Sequence, residues 1–109
     1  RRRRERLRAG EYFHIRYGCL VAAGVDNLLM AGRCCSAEHV AESSLRIQQT
    51  CMATGQAAGT AAALSIRAGT TPRELDASAL VRRLARDRQA VTPACVELAN
   101  LPVARFAPR

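Results

Sequence analysis

From Gln49 to Ala68 the sequence runs without a proline and is dominated by alanine, the strongest helix former. Such a run specifies one long helix, which at the usual rise spans about 30 Å. Gly69 follows at the point where a glycine commonly ends a helix. Gly55 and Gly59 lie one turn apart on the same helix face, and Ala62 and Ala63 continue that small-residue surface. Each glycine costs about 1 kcal/mol relative to alanine inside a helix. This face is therefore expected to meet something that approaches the backbone closely. A membrane dimer face is disfavoured, because Gln48, Gln49, Thr50, Thr54 and Gln56 would then lie in lipid.

The flanking segments are shorter and less regular. Tyr12 to Val21 is rich in aromatic and β-branched residues with rough alternation, which predicts an extended segment or edge strand. Ala22 to Asp26, around Gly24, reads as a turn. Asn27 to Arg33 is a continuous apolar run stopped by Gly32, the pattern of a strand buried on both faces. Such a strand needs neighbours on each side, and no other segment has matching character. Cys34 to Ser44 is polar and irregular, with a short helical turn expected around Ala37 to Ala41. After a linker at Thr71-Pro72, with Leu75 as an anchor, Asp76 is the expected N-cap of a second helix from Ala77 to about Arg86. Leu80, Val81 and Leu84 make its apolar stripe. The segments are thus a basic, solvated and disordered stretch at 1–11, a main unit at 12–70, a linker and short helix at 71–88, and an irregular tail at 89–109.

Composition sets the scale. A chain of 109 residues suffices for one small domain. It is 49% hydrophobic but only 4% aromatic, with no Trp, so its core is thin. The formal net charge of +8 suggests a small basic module that contacts nucleic acid or another polyanion. Most of that charge, however, sits in the arginine run from Arg1 to Arg8. All seventeen basic residues are Arg, which fits a codon-biased source better than a shaped phosphate-binding face. The five cysteines are odd in number and form no Cys-x-x-Cys pair, which argues against a disulfide framework and for a reducing, cytoplasmic setting. Cys34, Cys35 and His39 match no common zinc spacing, so no metal is expected. Cys51, at a helix start, reads either as a reactive thiol or, more commonly, as a small packed apolar residue. The chain does not begin with Met and holds no apolar run long enough for a signal peptide or membrane span, so it reads as a fragment whose upstream part is missing.

The start of the long helix carries chemical meaning. Its first amide groups have no partners within the helix and bear partial positive charge, which suits an anion or a developing negative charge.

Gly24-Val-Asp-Asn-Leu-Leu-Met-Ala-Gly-Arg-Cys34 resembles the last sheet strand of FAD-dependent oxidoreductases related to the fumarate reductase and succinate dehydrogenase flavoproteins. Ser36-Ala-Glu-His39 and Ser44-Leu-Arg46 follow in that family's order, and Thr50 to Ala63 is similar to its flavin-facing helix. Pro72-Arg-Glu-Leu-Asp76 and the short helix after it fit the family's usual ending, so the resemblance covers about Phe13 to Leu84. It implies an α/β fold, the C-terminal fragment of a Rossmann-type FAD-binding domain. One or two short strands would accompany a long Ala/Gly-rich helix and a shorter second helix. It implies FAD as cofactor, with Gly32 and Arg33 passing near its ribityl and pyrophosphate. Thr50, Cys51 and Met52 would offer backbone amides to the flavin pyrimidine edge. His39 and Arg46 match positions that face an unidentified small-molecule substrate, where an Arg can hold a carboxylate by two parallel bonds. Two departures stand out. Arg16-Tyr17-Gly18 replaces the Pro followed by Tyr-Arg of many relatives, and no Gly-x-Gly-x-x-Gly loop occurs, so this chain alone is not expected to hold FAD tightly.

Overall fold

The computed structural model describes residues 14–37 and 46–89. The arginine run, His39, most of the turn expected at Ala37 to Ala41 and the tail lie outside the described residues. Two helices dominate: α1, Gln48–Ala68, and α2, Ala77–Arg86. Two single-turn 3-10 helices, Tyr17–Cys19 and Gly32–Cys34, precede them.

Helix α1 starts one residue before the alanine-rich pattern and ends where Gly69 adopts φ 66°, ψ 28°. There the amide of Gly69 donates to Ile66 O at 3.3 Å and that of Thr70 to Ser65 O at 3.0 Å. This pair of bonds is a Schellman stop, which needs the left-handed backbone that glycine adopts without a Cβ penalty. Helix α2 is capped as its sequence predicts. The Asp76 carboxylate accepts from the Ser78 amide at 3.0 Å and from the Ser78 hydroxyl at 2.8 Å. Arg82 leans on the same cap, 3.2 Å from Ser78 Oγ.

The core forms where α2 crosses α1. Ala61 is fully buried, and Leu80 and Leu84, four apart on α2, close over it. Tyr17, Leu29, Ala57, Leu64 and Leu75 pack around this centre. Burying each leucine contributes roughly 1.5–3 kcal/mol. With alanine on one side of the contact the total remains small, in line with the sparse aromatics. Ser65 is also buried, and its hydroxyl is satisfied by Ala61 O at 2.8 Å.

The α/β expectation is overturned. Among the described residues there is no strand and no sheet, hence no Rossmann-type layer; pairing is limited to an isolated antiparallel bridge between Val21 and Leu29. The supposed edge strand winds into the Tyr17–Cys19 turn instead. That segment is held by side chains rather than by a ladder: the Tyr17 hydroxyl donates to Pro72 O at 2.6 Å. The Asn27 to Arg33 run touches Val21 on one edge only, with Leu28 exposed and Gly32 already turning. A strand buried on both faces takes its regularity from neighbours, and a single bridge cannot supply it. The turn between the bridged residues passes through Gly24, and Arg73 fastens it to the linker by donating to Ala22 O at 2.9 Å.

The close partner expected over Gly55 and Gly59 is also missing among the described residues. A Cβ added at either glycine would meet nothing within 4 Å. Both belong to an exposed face of α1 that includes Met52, Ala63 and Ile66.

Candidate flavin-facing site

The second 3-10 turn docks against the first turns of α1, and one side chain joins them. Thr54 is buried, and its Oγ1 accepts the Gly32 amide at 3.0 Å. The same hydroxyl shares its proton between Thr50 O at 3.0 Å and Cys51 O at 3.1 Å. A threonine in a helix readily back-bonds to carbonyls one turn earlier, and here that habit aims the oxygen's lone pairs at the neighbouring turn. Gly32 adopts φ +63°, and a Cβ there would lie 3.6 Å from Cys51 Cβ and 3.7 Å from its Sγ. The left-handed backbone, more than lack of space, is what calls for glycine.

Four of the seven residues implicated from the sequence are found around this joint or beside it. Gly32, Thr50 and Cys51 are brought together through Thr54, and Arg33 occupies the same turn with its side chain exposed. Met52 is 70% exposed and points away, along the outer face of α1. Arg46 is exposed two residues before the helix, and His39 lies outside the described residues. Thr54 itself carries no expectation from sequence, although its spacing from Thr50 and Cys51 is the signal that would have found it.

Among the described residues the helix start has no side-chain cap. Ile47, the N-cap residue, makes no side-chain capping bond, and the Cys51 amide donates to Ile47 O at 2.9 Å as the first bond of the ladder. The amides without an acceptor inside the helix are therefore those of Gln48, Gln49 and Thr50, and the residues carrying them are exposed or half-buried. These donors, with the positive end of the helix dipole, suit an anion or an electron-rich carbonyl oxygen. Arg46 adds a full positive charge beside a dipole end of the same sign, an arrangement that a bound anion would relieve.

Thiols also gather here. Cys35 is half-buried, and its thiol donates weakly to Met30 O at 3.8 Å. Burial, and then the neighbouring thiols of Cys19, Cys34 and Cys51, push the Cys35 thiol pKa above its ordinary value, while a hydrogen bond with Thr54 acts the other way. Among the described residues no group of three or more His, Cys, Asp or Glu is placed to hold a metal ion. Among them, too, no helix is long and apolar enough to cross a membrane.

Comparison with known proteins gives one positive result. No curated protein and no solved structure matches the chain at a significant level. The family model described as FAD dependent oxidoreductase matches residues 1–84, most of the chain and all of both helices but the last two residues of α2. The chain belongs to the FAD dependent oxidoreductase family, whose cofactor is FAD.

Proposed function

We propose that this chain supplies the flavin-facing helix start and part of the substrate site of an enzyme that moves a hydride between a small carboxylate-bearing substrate and FAD. The observation that supports this best is the uncapped start of α1, held against the Gly32 turn by Thr54. FAD, when bound, supplies the hydride chemistry. The residues of this chain bind and orient. The amides that open α1, Thr50 among them, face the pyrimidine edge; the Cys51 amide is already bonded to Ile47 O, and Met52 follows it in the helix. Gly32 and Arg33 pass beside the ribityl and pyrophosphate. Arg46 holds the substrate carboxylate, and His39 donates a hydrogen bond or a proton to the substrate. The resemblance of Ser36-Ala-Glu-His39 and Ser44-Leu-Arg46 to motifs of the fumarate reductase branch is what supports this assignment of His39 and Arg46. The pyrophosphate-cradling glycine loop, absent from these 109 residues, comes from another polypeptide segment.

Reading the genomic frame around this chain tests the proposal. A strand, a Gly-x-Gly-x-x-Gly turn and a helix are expected upstream and in frame, and a stop codon with no such motif would overturn it. In the resulting flavoprotein, Arg46→Gln is expected to raise KM for a carboxylate substrate by roughly tenfold or more while flavin content stays unchanged. A loss of flavin with no change in KM would remove Arg46 from the substrate site.

A further inference from the structure

The cysteines of the described residues come from three separate stretches of chain. Cys19 ends the first 3-10 turn, Cys34 and Cys35 close the second, and Cys51 lies in the first turn of α1. None is in a disulfide. The fold nevertheless brings these stretches side by side. Cys51 Sγ lies 3.7 Å from where a Gly32 Cβ would stand, and the Gly32 amide is bonded to Thr54 Oγ1. Cys35 follows in the same turn, its amide donating to Gly32 O at 3.2 Å and its thiol reaching Met30 O. Met30 in turn donates to Leu20 O at 2.7 Å, which draws the end of the Cys19 turn alongside.

We propose that Cys35 is the hub of a reversible dithiol–disulfide centre, in which it pairs with a thiol brought in by another segment, Cys19 or Cys51. The electrostatic influence of Cys19, Cys34 and Cys51 on Cys35 agrees with this clustering. Cys34 is not the partner. Adjacent Cα atoms are about 3.8 Å apart across a trans peptide, whereas disulfides need roughly 4.4–6.8 Å. The chemistry does not require the flavin, so it goes beyond the function proposed above.

With hydrogen peroxide as oxidant the step balances. One thiolate attacks a peroxide oxygen, an S–O bond forms, the O–O bond breaks, and water leaves after taking up a proton. The second thiol then attacks the sulfenic sulfur. The S–S bond forms, the S–O bond breaks, and a second water carries away the remaining proton. Two thiols lose two electrons and two protons in all, and the peroxide is reduced to two waters. A dithiol reductant reverses the bond by thiol–disulfide exchange. Closure would tie the Gly32 turn either to α1 through Cys51 or to the Tyr17–Cys19 turn through Cys19.

The test uses the full 109-residue chain carrying Cys95→Ser. It is treated with limiting hydrogen peroxide, then unfolded in an alkylating reagent and measured by intact-mass spectrometry and peptide mapping. The expected result is loss of two hydrogen atoms and of two alkylatable thiols, both restored by dithiothreitol. The map is expected to join the Cys35 peptide to that of Cys19 or Cys51. Cys34→Ser leaves the closure intact, and Cys35→Ser abolishes it. Oxygen addition without hydrogen loss, a bond between two chains, a pair that omits Cys35, or closure in Cys35→Ser would each overturn the inference. The map reads the linkage in the chain that keeps Cys35, so the result does not depend on the folding of Cys35→Ser.

Discussion

The amide of Gly32 donates to the hydroxyl of Thr54 across 22 residues of sequence, at 3.0 Å. Through that oxygen a turn with a left-handed glycine is fixed to carbonyls at the start of α1. The joint holds together the stretch most specific to the flavoprotein family, and its removal has a defined cost.

Thr54→Val keeps the shape of the side chain but leaves the Gly32 amide without its acceptor. A loss of about 1–3 kcal/mol is expected, the penalty for a polar group stranded in a partly buried place. Thr54→Ser, which retains the oxygen, should lose less. Urea unfolding followed by helical circular dichroism measures both; a larger loss for Ser than for Val would mean that the methyl group, not the hydroxyl, holds the joint.

Leu80 and Leu84 carry most of the small core between the helices. Leu84→Ala is expected to destabilise by about 2–5 kcal/mol, toward the upper end because the facing Ala61 has no side chain with which to refill the gap. A thermal melt of the variant should show the helical signal lost at lower temperature. A midpoint unchanged from the parent would mean that α2 does not depend on this contact.

Asp76 caps α2 through the Ser78 amide and hydroxyl. Asp76→Ala should cost about 1 kcal/mol and fray the first turn of that helix. Amide hydrogen exchange at Ser78 and Ala79 is the direct readout, with faster exchange expected there and none at α1.

Gly55 and Gly59 face open space among the described residues. Gly55→Ala and Gly59→Ala should therefore stabilise this chain by roughly 0.5–1 kcal/mol each, by restoring helix propensity. In the flavin-loaded protein the same changes should weaken packing if another segment approaches this face. A rise in stability of the chain with a fall in FAD retention of the whole protein is the expected pair of results.

Alkaline pH should weaken the fold. Burial raises the Tyr17 hydroxyl above its ordinary value of 10.0, and burial with neighbouring thiols raises the Cys35 thiol above its ordinary 9.0. Both groups hold their proton more tightly when folded, so their contribution is complete below those ordinary values. It is lost as pH rises through the unfolded and then the folded pKa. Unfolding free energies at a series of alkaline pH values should fall first with Cys35 and then with Tyr17. Tyr17→Phe should remove the upper part of that slope, at the expense of the bond to Pro72.

Where interactions are local, residue order alone determined the outcome. The run of alanines sets α1, Gly69 stops it, and Asp76 starts α2, because each depends on groups within about one helical turn. The motif order from Gly24 to Asp76 likewise identified the family without any geometry. Strands and contacts behave differently, since their energy lies in partners remote along the chain. Asn27 to Arg33 reads as a buried strand, yet with only Val21 across from it the segment makes one bridge and turns away. The same remoteness hid Thr54, whose role depends on where Gly32 arrives, and the gathering of thiols around Cys35. Only the tertiary structure decided these, because a hydrogen bond or a thiol pair exists by distance in space, which sequence spacing does not set.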